Sequence, residues 1–155
     1  MDVSERAELI ERYRAGASAV DGALAGITDA ELDTVPPGGW SARMVVHHLA
    51  DSEANSYLRL RKLLAEDDAK IQGYDEAEFA RVLHYDRPID HSLDVFRAVR
   101  ASSGELLGRL TDDEWSRVGT HSESGRYSVE DWLTIYADHA VDHADQIRRA
   151  RQGQT

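Results

Sequence analysis

Cysteine is absent from this chain, which excludes disulfides, thiolate nucleophiles and any zinc or iron–sulfur site built on sulfur. A metal, if there is one, must be held by histidine and carboxylate. Proline is scarce, with three residues in all, two of them adjacent at Pro36 and Pro37. No apolar run approaches the roughly 20 residues that a membrane helix requires, so no membrane partner is expected. Basic residues are also few, with 18 Lys and Arg against 29 Asp and Glu and a formal charge of −11. They are interleaved with acids rather than gathered in a stripe, and nucleic acid is excluded as an expected partner. Residues Met1 to Arg6 carry three charges with no apolar stretch behind them. That pattern does not read as a secretory signal, and a cytoplasmic location is expected.

What remains is a chain of 155 residues, 41% apolar and 30% charged, enough for one domain over 1–155 with a hydrophobic core. Apolar residues recur at helical spacing nearly everywhere. A first helix is expected from near Ser4 through Leu9, Tyr13, Val20 and Leu24 to about Gly26. Thr28 to Glu31 has capping-box spacing, and Pro36-Pro37-Gly38-Gly39 then breaks the chain. Ser41 caps a second long helix over about 42–65. A short connecting helix is expected over 75–84, and Pro88 and Asp90 open a third long helix that ends near Leu110. Thr111 to Glu114 repeats the capping box. A polar loop, His121 to Gly125, leads to Ser128, the cap of a last helix running to about Arg151. These are the ingredients of an all-α, up-and-down four-helix bundle with short connecting helices, in which function is built inward from facing helices.

The seven histidines carry the chemistry. His139 and His143 are four residues apart on the last helix, one turn apart on one face. Chance alone would give about 0.3 such pairs, so position must decide. At about 100° per residue both fall within about 20° of Trp132, on the apolar stripe. On the second helix His48 lies about 60° from Val45 and flanks the core face, whereas His47 points away. Ser52, Asn55 and Arg59 share the side of His48 and make it unusually polar. Two readings stay open at this point. Buried imidazoles can be satisfied by backbone carbonyls or by one another, or three of them can hold a borderline transition metal and leave a fourth position open. His84 and His91 read as surface residues. Trp115 and Trp132 read as core anchors, and Trp40, beside the glycine break, is the tryptophan to examine near a pocket.

The stretches Gly39-Trp40-Ser41, Val46-His47-His48-Leu49-Ala50-Asp51-Ser52 with Asn55-Ser56-Tyr57, and His139-Ala140-Val141-Asp142-His143-Ala144-Asp145-Gln146-Ile147 resemble the DinB-like superfamily. The similarity is to its YfiT-type metal-dependent hydrolases and covers nearly the whole chain. It implies a four-helix bundle in which nickel or zinc is held by one histidine of the second helix and two of the last. Carried over, these are His48, His139 and His143. That family is in turn similar to bacterial low-molecular-weight-thiol S-transferases, which implies a thiol as a possible co-substrate, and its relatives imply a homodimer. The loop at His121 resembles a His-x-Glu-Ser-Gly stretch of YfiT-type relatives, which places His121 at the mouth of the site.

The expectation is therefore a metal-dependent hydrolase or thiol S-transferase acting on a small molecule, with Zn²⁺ or Ni²⁺ activating water or thiol. Asn55, Arg59 and His121 are the candidate catalytic or substrate-binding residues. Asp51, Asp138 and Asp142 are candidates to orient the imidazoles. The competing expectation is a non-catalytic bundle that binds a metal or a small ligand, since no general acid or base stands out.

Overall fold

The computed structural model describes residues 1–155. Four long helices dominate: α1 (Val3–Leu24), α3 (Ala42–Ala65), α5 (Asp90–Leu107) and α7 (Val129–Ala150). Short helices α2 (Asp29–Leu32), α4 (Glu76–Val82) and α6 (Asp112–Trp115) lie in the connections. Side-chain caps start most of them. Ser41 accepts from the Met44 N–H at the start of α3, and Ser128 with Asp131 forms a reciprocal capping box at the start of α7. Asp2 and Glu5 form another, which starts α1 slightly earlier than Ser4. Each removes orphan N–H groups from a helix end that would otherwise fray.

The expected four-helix bundle is the architecture of the molecule, and its helix order has a particular form. α1 packs against α7 and α5, and α3 packs against α5 and α7. Consecutive long helices α1 and α3 thus face one another across the diagonal, an arrangement that the long connections permit.

The connections also hold a sheet that the all-helical expectation did not include. The expected loop, His121 to Gly125, is the turn of a hairpin of strands β2 (Val118–His121) and β3 (Gly125–Ser128), and β1 (Lys70–Ile71) pairs in parallel with β2. The strands are too short to show a period of two. Their order comes from tertiary bonds: the Thr120 and Ser122 N–H groups donate to the Ala69 and Ile71 carbonyls, and the Arg117 guanidinium donates to the Leu63 and Glu66 carbonyls at the end of α3.

The apolar core falls into two clusters. One gathers Tyr13, Leu60, Leu63, Leu107, Trp132 and Leu133 near the sheet, and the other gathers Val20, Val45, Leu49, Phe96, Ala140 and Ile147. Buried polar residues Ser52, Glu53, Ser56, Arg100 and Ser103 lie between them along the helices. The histidines of α3 and α7 border this polar layer.

Candidate metal centre

His48 enters the bundle from α3, and His139 and His143 enter from successive turns of α7. One ring nitrogen from each lies within 4.8 Å of the others. The Nε2 atoms of His48 and His143 stand 3.1 Å apart. Two nitrogens on one tetrahedral ion at the usual Zn–N distance would be about 3.3 Å apart. His143 Nδ1–H donates to the Gln146 side-chain carbonyl at 2.6 Å, which fixes the proton on Nδ1 and leaves a lone pair on Nε2. The Nδ1 atoms of His48 and His139 are buried with no partner in the protein.

Burial holds all three imidazoles in their neutral, ligating form. Desolvation pushes His48 down to about 4 and His139 down to about 2, with His143 adding repulsion in both cases. His143 is also lowered by burial, partly offset by its bond to Gln146. Trp40 presents its ring edge-on to His48 with centroids 5.3 Å apart, and Tyr136 does the same to His139 at 5.7 Å. The donor set, its charge state and its spacing suit a borderline divalent metal.

A cavity of about 180 Å³ opens onto His139. Ser52, Arg59 and Tyr136 of the long helices line it together with Gly73, Tyr74, Glu76, His121 and Glu123 of the connections. Arg59 donates to the Tyr136 hydroxyl and to the Gln72 carbonyl, both at 3.0 Å. His121 Nδ1 accepts from the Glu123 N–H at 3.3 Å, and burial and the Arg59 charge lower its pKa. Arg59 and His121 both line this cavity.

Asn55 does not. Its amide donates to the Asp51 carbonyl one turn back on α3, and it has no place in the cavity wall. The three carboxylates expected to orient imidazoles are also elsewhere. Asp51 accepts from the Tyr85 hydroxyl at 2.6 Å, Asp138 pairs at the surface with Arg12 at 2.9 Å, and Asp142 is exposed. Asp138 and Asp142 each precede a site histidine by one residue, which turns them about 100° around the helix. His47, read as pointing away from the core, is fully buried. Helix α5 and the segment before it cover that face of α3, where His47 Nε2–H donates to the Arg87 carbonyl at 3.0 Å and Nδ1 accepts from Ser92 at 2.7 Å.

Gln146, Tyr74, Glu76 and Glu123 are site residues that the sequence reading did not assign. The spacing of three from His143 is a signal that could have found Gln146. Nothing in the sequence places Tyr74 or Glu76 there, because they reach the site through the connection after β1.

The DinB superfamily profile matches residues 12–147. The chain belongs to the DinB superfamily. A protein of Oceanobacillus iheyensis named "Putative metal-dependent hydrolase" is 38% identical over 122 residues, covering 78% of this chain and 71% of the relative. One of the same name from Bacillus pumilus is 31% identical over 147 residues, covering 94% of this chain and 80% of the relative. The solved structure of YfiT from Bacillus subtilis superposes with a TM-score of 0.87 at 28% identity, over 100% of this chain and 91% of that one. It is described as a probable metal-dependent hydrolase with an unusual four-helix bundle topology. The diagonal placement of α1 and α3 is the form that the bundle takes in this DinB superfamily chain.

Proposed function

We propose that this chain is a metal-dependent hydrolase of a small molecule, with His48, His139 and His143 holding the metal. The observation that carries the reading is the pair of Nε2 atoms 3.1 Å apart with a nitrogen of His139 in the same 4.8 Å cluster, all on rings that desolvation keeps neutral. When bound there, Zn²⁺ or Ni²⁺ supplies Lewis-acid chemistry, polarising a substrate oxygen and making water, or a low-molecular-weight thiol, nucleophilic at neutral pH.

The chain's own residues then bind and orient. Gln146 holds the His143 ring in one tautomer, and the edges of Trp40 and Tyr136 exclude water from two sides of the rings. Arg59, braced by Tyr136 and the Gln72 carbonyl, presents its remaining N–H groups to a substrate. His121, with Nδ1 engaged by the Glu123 N–H, offers Nε2–H to the same cavity.

Elemental mass spectrometry on untagged protein tests the metal, with a His48→Ala, His139→Ala, His143→Ala variant as control. About one Zn or Ni per chain is expected in the wild type and none in the variant. No metal after incubation with Zn²⁺ and Ni²⁺ would overturn the reading, as would turnover that survives exhaustive chelation. Metal without turnover of any ester, amide or thiol-acceptor substrate would favour the non-catalytic binding bundle instead.

A further inference from the structure

The cavity beside His139 contains charges that do not neutralise one another. Arg59 forms no ion pair with any carboxylate, and neither Glu76 nor Glu123 pairs with a cation, although arginines elsewhere on the molecule are extensively paired. Of the five N–H groups of Arg59 two have partners in the protein. The Nε–H is buried and has none. Each terminal nitrogen has one N–H engaged and one left over, and a guanidinium held in this way can receive a carboxylate.

The same cavity is lined by Glu76, at the first position of α4, and Glu123, in the turn of the hairpin, both open to solvent. Burial raises the Glu76 carboxyl above the usual range, Arg59 draws it back and Glu123 pushes it further up. These groups feel one another's charge yet lie too far apart to pair. Glu123 reaches this position because residue 73 is glycine: a Cβ there would lie 2.5 Å from the Glu123 carboxyl carbon. Next to Gly73 the Tyr74 hydroxyl is buried without a partner, and burial pushes its pKa up to about 12. It remains a neutral hydroxyl facing the same space.

We propose that this cavity seats the head group of a small zwitterion, its carboxylate on Arg59 and its protonated amine between Glu76 and Glu123. The substrate class is thus an amino acid or a compact amino-acid derivative. This assignment rests on the reading of the cavity as the substrate site of the metal centre. The volume agrees with it: about 180 Å³ is roughly the share of six water molecules at about 30 Å³ each, space for a head group of that size. A ligand with one charge would satisfy either Arg59 or the two glutamates and leave the other unpaired. A ligand with both charges bridges the gap that the protein leaves open.

The test uses metal-free protein, so that amino-acid chelation of a metal does not enter and failure of the metal reading stays separate. L-alanine, N-acetyl-L-alanine and L-alaninamide are titrated at neutral pH and followed by calorimetry and amide NMR. L-alanine is expected to bind at least about tenfold more tightly than either single-charge analogue, the difference that one charge-assisted contact makes. Arg59→Gln should erase the preference over L-alaninamide. Glu123→Gln should weaken the preference over N-acetyl-L-alanine, and the residue is exposed at the rim, so the fold tolerates the change. Gly73→Ala should reproduce the Glu123→Gln result by displacing the same carboxylate. Equal binding of L-alanine and N-acetyl-L-alanine, or no binding of L-alanine at its highest soluble concentration, would overturn the proposal.

Discussion

A single residue, Gln146, decides which nitrogen of His143 faces its neighbours. Its carbonyl oxygen takes the Nδ1 proton at 2.6 Å, and the lone pair is left on Nε2, opposite His48. Removing such an outer partner typically lowers metal affinity by about 10–100-fold. Gln146→Leu keeps much of the volume and removes the acceptor, so Zn²⁺ affinity measured against a competing chelator should fall within that range, with the melting temperature of the metal-free protein nearly unchanged. Affinity equal to the wild type would mean that the His143 tautomer is set in some other way. At this scale the sequence was informative where spacing and face coincide. His139 and His143 were legible because four residues on a helix return to the same side. The adjacent carboxylates misled because proximity in sequence is not proximity around a helix. His47 misled because the periodicity of α3 registers one buried stripe, while the segment before α5 covers a second.

At the scale of elements, the site depends on the hairpin β2–β3 as much as on the helices. Capping and apolar periodicity made the four long helices readable to within a few residues. The sheet was not readable, since each strand of the hairpin is four residues long and is held by contacts remote in sequence. Gly119 shows the constraint directly. A Cβ at that position would lie 2.5 Å from the Ala69 carbonyl oxygen and 3.0 Å from a methyl of Leu63, so the strand lies this close to the end of α3 only without a side chain. Backbone cannot yield as a flexible side chain can, and overpacking of this kind costs about 1–3 kcal/mol. Gly119→Ala should lower stability by that amount in urea unfolding. It should also shift the amide resonances of His121 and Glu123, which follow on the same strand and turn. Unchanged resonances there would show that the hairpin tip is positioned independently of its packing on α3.

Across the whole molecule, the polar layer between the two apolar clusters is where all four long helices meet. Arg100 of α5 pairs with Glu53 of α3 and donates to the Tyr13 carbonyl of α1 and the Tyr136 carbonyl of α7. The Glu53 carboxylate accepts further from the Tyr13 and Ser56 hydroxyls. Both members of the pair are essentially inaccessible to solvent. Desolvation pushes the Glu53 carboxyl up, and Arg100 is the main group that brings it back. No pattern in the sequence announces this pair, because a lone Glu and a lone Arg on amphipathic helices read as surface residues. Burying two charges costs nearly what their attraction returns, whereas removing one of them strands the other and costs about 3–5 kcal/mol. Arg100→Met and Glu53→Leu should each lower unfolding stability by that amount, and the double variant should lose clearly less than the two single losses added together. Full additivity would sink the idea that the two charges act as one unit. Arg100 also bonds the Tyr136 carbonyl, and Tyr136 is one helical turn from His139 on α7. The double variant should therefore bind Zn²⁺ more weakly than the wild type in competition with a chelator even where it remains folded, because it loses the bond that ties α7 to α5 one turn before His139; unchanged affinity would show that α7 is held in register without it.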